Sequence, residues 1–289
     1  VVIPLAGHWV WFGWLKERGF IDVGGASVIH LSAAVCAAIG AALVGPRMGK
    51  YNKDGSSNSV PGHALPLTSI GTLMLLVAWF PYLIGCVLAH DSSGDLSTVG
   101  FGAVGMTATN IMLAAAGGAL AGMIYGQFRY RKPDVSFTYI GLMGALVAIS
   151  AGAAGMGNVG ALITGAIAGL IVPLLTFEID MRWHLDDPLG VAAIHGVGGL
   201  WGVFAAALFA SGTVSERLKL LGVQALGAAA IIALAAVVSL VVFLALKATL
   251  GLRVNDSDEF DGLDLGEHDI NAYPDFQQTT IKSYHLREA

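Results

Sequence analysis

From Asp22 to Gly45 the chain reads DVGGASVIHLSAAVCAAIGAALVG. After the aspartate, the stretch has no acidic or strongly basic side chain, and a single histidine, His30, interrupts its small and apolar residues. A helix needs about 20 such residues to cross ~30 Å of hydrocarbon, at about 1.5 Å per residue. The stretch therefore predicts a membrane-spanning helix rather than the core of a soluble domain.

The whole chain of 289 residues has the same character. Only 12% of its residues are charged, about half of the ~25% that is usual for soluble domains, and this excludes an ordinary cytosolic enzyme. Long apolar runs without period-2 alternation favour helices over the strands of a barrel. The predicted spans are approximately 24–45, 66–89, 100–126, 136–154, 157–176, 188–210 and 219–250. We predict an all-α polytopic membrane protein with seven transmembrane helices in a membrane domain at 1–251 and an acidic tail at 252–289.

Cationic side chains in the short connections indicate the orientation of the spans. Alternation places seven of them on one side, namely Arg47, Lys50, Lys53, Arg129, Arg131, Lys132 and Arg182, and four on the other, namely Lys16, Arg18, Arg217 and Lys219. Because cytoplasmic loops carry the excess of Lys and Arg, we expect a plasma-membrane protein with a cytoplasmic C-terminus. Its tail is either solvated and partly disordered or docked on the cytoplasmic face through its spaced apolar residues.

Two histidines lie within the spans, His30 in the first and His195 in the sixth. An unpaired polar ring in hydrocarbon costs several kcal/mol, so an intramembrane histidine normally faces protein groups or a wet cavity. One such histidine alone is explained by packing. The surroundings of these two match, because Asp22 to His30 and Asp187 to His195 share the pattern D-x-x-G-x-x-x-I-H.

The two copies of this pattern are predicted to run in opposite directions. Four spans lie between them, so they are five crossings apart, and an odd offset inverts the second copy. Inverted repeats are common in transporters, with the functional site at the repeat interface near the midplane. We therefore expect the imidazoles of His30 and His195 to meet. A full first repeat needs four more spans upstream of His30, so we expect the chain to be the C-terminal portion of a longer protein.

Two facing neutral imidazoles offer alternating donors and acceptors. Such a pair suits the passage of a small polar molecule or a proton. The sequence shows no nucleophile, metal-ligating carboxylate or phosphate cradle beside the pair. We therefore expect no enzyme activity, no catalytic residue, no metal, no cofactor and no nucleic-acid partner. A membrane enzyme with a histidine relay and a purely structural membrane fragment are the less favoured readings.

These residues resemble the ammonium transporter (Amt) branch of the Amt/Rh family. The stretch from Asp22 through Gly45-Pro46-Arg47 is similar to the family signature, and Asp186-Asp187-Pro188 with Ile194-His195-Gly196 is similar to its second histidine helix. The resemblance implies an eleven-helix channel that forms a homotrimer in the lipid bilayer, of which this chain supplies helices five to eleven. It implies ammonium or ammonia as substrate and a PII-type regulatory protein as a partner of the tail.

The same resemblance implies roles for single residues. His30 and His195 correspond to the twin histidines of the pore, and Asp22 to the acid that supports the recruitment site without touching the substrate. Trp11 corresponds to an aromatic residue at the outer mouth, where a cation gains about 0.5–2 kcal/mol over the indole face. The alternative for Trp11 is an interfacial belt tryptophan.

The chain departs from the family around the gate. Where the family usually has G-W-F-G-F-N, this chain has Ala78-Trp79-Phe80-Pro81-Tyr82-Leu83, so Tyr82 replaces the gating phenylalanine beside Trp79. Cys86 replaces a serine that helps to bind the cation, and a thiol is a weaker hydrogen-bonding group. We expect NH4+ to be recruited near Trp11 and Cys86 and conducted as NH3 plus a relayed proton. The altered gate favours, as an alternative, an ammonium sensor with the same fold.

Overall fold

The computed structural model describes residues 1–90 and 96–273 as an assembly of helices. A short first helix continues as a π-helical turn at His8–Phe12, and α3 and α8 each begin with a π-helical turn. The helices are α1 (Val2–Gly7), α2 (Trp14–Glu17), α3 (Ala26–Val44), α4 (Leu65–His90), α5 (Leu96–Tyr130), α6 (Val135–Ile149), α7 (Asn158–Met181), α8 (Ala192–Leu208), α9 (Val214–Thr249), α10 (Asp256–Asp261) and α11 (Leu263–His268).

Five of the described helices, α3, α4, α5, α7 and α9, are long and apolar enough to cross a membrane. They coincide with five of the seven predicted spans. The longest, α9, begins at Val214, five residues before the predicted span. Thr213 sets this start with a capping box, in which its hydroxyl accepts from the Glu216 amide at 3.3 Å and the Glu216 carboxylate accepts from the Thr213 amide at 2.7 Å.

The helices α6 and α8 are shorter than the spans predicted at 136–154 and 188–210. The first ends at Ile149 because the chain turns there, and buried Asn110 of α5 holds the turn by donating to the carbonyls of Ala153 and Met156, each at 2.8 Å. The second starts late because Gly190, with φ +67°, closes a turn before it. Both helices remain apolar, with 15 and 17 residues by their bounds.

Small residues let three helices pack backbone to backbone. A Cβ at Gly118 of α5 would collide with the carbonyl of Gly141 in α6, and a Cβ at Gly165 or Gly169 of α7 would collide with the backbone of α5. Gly118, Gly165 and Gly169 thus lie at close contacts between helices. The hydrophobic effect does not drive helices together within lipid, so close van der Waals packing between their backbones stabilises the assembly instead.

Residues 252–273 of the acidic tail fold back on the connection that follows α3. The Arg253 guanidinium donates to the Pro46 carbonyl at 2.6 Å and pairs with Glu259 at 2.6 Å, and the Met48 amide donates to Glu259 at 2.7 Å. The Met48 amide, with Arg253, lowers the pKa of the Glu259 carboxyl. The described part of the tail is thus docked. The remainder of the expected tail, 274–289, lies outside the described residues.

Candidate functional site

The start of α3 is built around one buried carboxylate. Asp22 is only 3% exposed. Its carboxylate accepts hydrogen bonds from the backbone amides of Ala26, Ser27 and Val28, at 2.6, 2.8 and 3.2 Å. It also accepts one from the Ser27 hydroxyl, at 2.6 Å. These are amides that a helix start leaves without intrahelical partners. The carboxylate therefore fixes the position at which α3 begins, and with it the height of His30 in the helix.

The start of α8 repeats this construction. Asp187 accepts the amides of Val191 and Ala192 at 2.9 and 2.7 Å. The glycine three residues after each aspartate has positive φ, +81° at Gly25 and +67° at Gly190, a region that favours glycine. A π-helical turn follows in both places and contains the histidine. The shared sequence pattern thus forms one local structure twice.

Contacts at both ends show that α3 and α8 run in opposite directions. Arg47, just past the end of α3, pairs with Asp186, just before the start of α8, through its Nε at 2.8 Å. At the other end, Gln224 of α9 donates to the carbonyls of Ile21, before α3, and Val203, late in α8, at 2.8 and 2.9 Å. The end of one helix therefore lies beside the beginning of the other at both levels.

The two imidazoles meet between these antiparallel helices. Nδ1 of His30 lies 3.1 Å from Nδ1 of His195, and the ring centroids are 5.1 Å apart at 20°. One Nδ1 must donate and the other accept, so the rings take complementary tautomers. His30 is buried and His195 half-buried. A hydrogen-bonded chain of this kind has one donor end and one acceptor end.

The other nitrogen of His30, Nε2, is buried and has no hydrogen-bond partner among the described residues. The ring stacks on Trp79, with centroids 5.5 Å apart at 13°. A buried polar atom without a partner is costly unless a water or a ligand supplies one. The histidine pair therefore presents an unused polar atom beside an aromatic wall.

The predicted mouth residues adjoin the Asp22 turn. The Trp11 indole donates to the Asp22 carbonyl at 2.8 Å, and its ring lies edge-on to His90, with centroids 5.9 Å apart. Cys86 is a free, half-buried thiol on α4, and its carbonyl accepts from Nδ1 of His90 at 2.8 Å. His90 could not be singled out from the sequence, because it falls just outside the predicted span 66–89, whereas in the structure it is the last residue of α4.

The predicted gate residues, Tyr82 and Trp79, lie in a series of rings that reaches His30. The Tyr82 hydroxyl donates to the carbonyl of Gly24. The Tyr82 ring is perpendicular to Trp79 at 5.7 Å, and the Trp79 indole donates to the Ser150 hydroxyl at 3.1 Å. Ser150 was missed by the sequence analysis, since a serine at the end of an apolar helix carries no recognisable signal. Tyr82, Trp79, His30 and His195 thus form one series of rings. The Trp11 indole and the Tyr82 hydroxyl both bond to the Asp22–Gly25 turn.

A polar cluster occupies the opposite end of α3. The Asp180 carboxylate accepts from Lys50 Nζ at 2.9 Å and from the hydroxyls of Tyr51 and Ser57 at 3.0 Å each. Burial of the Tyr51 hydroxyl, together with its hydrogen bond to Asp180, raises the pKa of Tyr51. Beside it, the Arg47 guanidinium lowers the pKa of the Asp186 carboxyl. A cavity of about 490 Å³ is lined by these groups other than Tyr51, namely Arg47, Lys50, Ser57, Asp180 and Asp186.

Groups of three or more His, Cys, Asp or Glu side chains that could hold a metal ion do not occur in residues 1–90 and 96–273. The centre of the site is instead two imidazoles, an indole and a phenol between apolar helices. Fold and site together define a polytopic helical membrane protein with a narrow polar centre between two antiparallel helices.

The chain belongs to the ammonium transporter family. The sequence model of the Ammonium Transporter Family matches residues 1–273. Ammonium transporter Amt1 of Haloferax mediterranei is 37% identical over 263 residues, which cover 89% of this chain and 50% of that protein. Ammonium transporter Amt2 of Archaeoglobus fulgidus is 34% identical over 302 residues, which cover 96% of this chain and 62% of that protein. The chain thus spans half to three fifths of the length of these relatives.

Solved structures share the fold. A structure of a Sensor Amt Protein matches with a TM-score of 0.85 and 32% identity, covering 93% of this chain and 67% of that chain. Candida albicans Mep2 matches with a TM-score of 0.76 and 25% identity, covering 89% of this chain and 58% of that chain. The family expected from the two histidine helices is confirmed, and with it a multi-pass membrane protein.

Proposed function

We propose that the protein transports ammonium across the plasma membrane along the path between α3 and α8. The observation that carries this proposal is the His30–His195 contact of 3.1 Å between antiparallel helices. The unpartnered Nε2 of His30 adds a place where a small polar molecule gains a hydrogen bond. The family supplies the substrate class, ammonium or ammonia.

The physical problem in such transport is removal of water from a cation. The idealised cost of placing a small ion in a low-dielectric medium is of order 20 kcal/mol. Splitting NH4+ into neutral NH3 and a separately relayed proton avoids most of that cost. Two hydrogen-bonded imidazoles suit both parts, because each ring exchanges donor and acceptor nitrogens when a proton moves through it.

The remaining site residues take roles along this path. Trp11 and Cys86 recruit NH4+ at the outer mouth, where an indole face attracts a cation. Tyr82 and Trp79 form the gate between the mouth and His30. Asp22 supports the site without touching substrate, because its carboxylate is already occupied by three amides and a hydroxyl.

Topology and assembly complete the proposal. All seven apolar helices cross the bilayer in a transporter domain at 1–251, and the tail at 252–289 is cytoplasmic. The two D-x-x-G-x-x-x-I-H copies are the corresponding parts of an inverted repeat in an eleven-helix fold. By family resemblance the protein works as a homotrimer, and its tail is the docking place for a PII-type regulatory protein.

Ammonium-evoked current in proteoliposomes tests the proposal. The protein, with whatever flanking sequence its gene encodes, is expected to give a saturable current with ammonium and none with equal concentrations of Na+ or K+. Liposomes with the Asn52→Ala variant are the control, because Asn52 is exposed in a connection far from the histidine pair. Equal currents with all three cations would contradict selective ammonium transport.

A second function, ammonium sensing, has one specific observation in its favour. The chain is 32% identical to a structure described as a Sensor Amt Protein, and its gate carries a tyrosine hydroxyl bonded to the backbone. A sensor is expected to bind ammonium, seen as saturable quenching of tryptophan fluorescence, without passing current. Current together with binding favours the transporter.

A further inference from the structure

We propose that Tyr82 is a latch that keeps the path between the mouth and His30 closed. Its hydroxyl donates to the Gly24 carbonyl and so joins α4 to the turn that starts α3. This hydrogen bond is separate from the ring contacts of Tyr82, which a phenylalanine would also make. The inference concerns the hydroxyl alone and deepens the proposed function, since it concerns regulation of the same site.

The acceptor of the latch lies in a backbone turn that is also bonded to the residues at the end of α6. The Gly24 amide donates to the Ser150 carbonyl at 2.8 Å, and the neighbouring Val23 amide donates to the Ala151 carbonyl at 3.0 Å. A Cβ at Gly24 would collide with Leu83 and with the Ser150 carbonyl. The turn is therefore held from two sides, by the end of α6 and by the Tyr82 hydroxyl of α4, so that loss of the hydroxyl removes one of its anchors.

The donor of the latch lies on the series of rings that leads to the histidines. Tyr82 is perpendicular to Trp79 at 5.7 Å, and Trp79 stacks on His30 at 5.5 Å. The Trp79 indole is itself anchored to Ser150 at 3.1 Å. Tyr82 is thus the end ring of this stack, and it bonds to the same Asp22–Gly25 turn as the Trp11 indole. Movement of its ring away from the path requires the hydroxyl to leave Gly24.

The test compares Tyr82→Phe with Tyr139→Phe. The hydroxyl of Tyr139 in α6 also contacts α4, where it donates to the Ser69 hydroxyl at 2.7 Å. Ser69 lies 13 residues before Tyr82 along α4. Both variants remove one oxygen and keep the ring. A lost hydrogen bond shifts an open–closed balance by about 2- to 10-fold, and this shift is expected for Tyr82→Phe alone.

Hydrogen–deuterium exchange of a peptide covering 20–31 measures the latch without reference to transport. We expect exchange at Val23 to Val28 to quicken about 2- to 10-fold in Tyr82→Phe and to be unchanged in Tyr139→Phe. Equal exchange in Tyr82→Phe and the parent overturns the latch, and so does an equal increase in both variants.

Ammonium-evoked current then tests the consequence for flux. In a conducting parent, Tyr82→Phe is expected to raise the maximal current about 2- to 10-fold and to leave the half-saturating concentration unchanged, because Trp11 and Cys86 are untouched. An unchanged or lower maximal current overturns the latch. Absence of current in the parent and both variants counts against the proposed transport, and the exchange measurement alone then decides the latch.

Discussion

Truncation of Asp22 should destabilise the protein more than the same change in its repeat counterpart, Asp187. Asp22→Ala removes the acceptor of four hydrogen bonds in a site that is 3% exposed. Asp187→Ala removes the acceptor of two, at a half-buried position. At about 0.5–1.5 kcal/mol per hydrogen bond, we expect losses of about 2–6 kcal/mol for Asp22→Ala and about 1–3 kcal/mol for Asp187→Ala.

The assay is unfolding of the purified protein by SDS in mixed micelles, followed by tryptophan fluorescence. Both variants are expected to unfold at lower SDS fraction than the parent, with the larger shift for Asp22→Ala. The two substitutions remove the same atoms from the same motif, so each serves as the control for the other. Equal shifts, or a larger shift for Asp187→Ala, would refute the assignment of buried hydrogen bonds at the start of α3.

Four further substitutions, one of them a control, test packing and electrostatics by the same unfolding assay. Gly165→Ala pushes a methyl group into the α5 backbone and should cost about 1–3 kcal/mol, whereas Gly105→Ala meets open space and should stabilise by up to about 1 kcal/mol; a loss at both positions would contradict the close packing. Asp186→Asn should cost about 1 kcal/mol, discounted because the Arg47 partner is 39% exposed. Because Arg47 lowers the pKa of Asp186 in the folded protein, the stability difference between the parent and Asp186→Asn should be complete at pH values above 3.8, the ordinary pKa. It should vanish as the pH falls through the lowered pKa of the folded protein. A stability difference that persists in acid would argue against the ion pair. Gln224→Leu should cost about 2–3 kcal/mol, since three hydrogen bonds of a fully buried amide are lost, and a neutral result would show that they contribute nothing.

The sequence was most informative where a local pattern determines a local structure. Apolar runs predicted the five long helices, and the repeated D-x-x-G-x-x-x-I-H pattern pointed to two matching helix starts. The predicted lengths of the spans that correspond to α6 and α8 were wrong, because hydropathy does not indicate where a chain turns. At the end of α6 the turn depends on Asn110, a residue 43 positions earlier than its partner Ala153.

Parts of the site depend on contacts that no local pattern records. The Ser150 hydroxyl accepts a hydrogen bond from the indole of Trp79, 71 residues away in the sequence. The Gln224 side chain donates to the carbonyl of Ile21, 203 residues away. A single serine or glutamine in an apolar helix is unremarkable in the sequence. The importance of the Tyr82 hydroxyl likewise depends on the Gly24 carbonyl, 58 residues away. Such residues become visible when helices are placed side by side.

The double-mutant cycle of His30→Ala and His195→Ala on ammonium-evoked current tests the central claim most directly. Residues that act as one unit are strongly non-additive, so the double variant should lose about as much current as either single variant. Currents equal to the parent in the double variant, or losses that multiply as for independent sites, would contradict a path through the histidine pair.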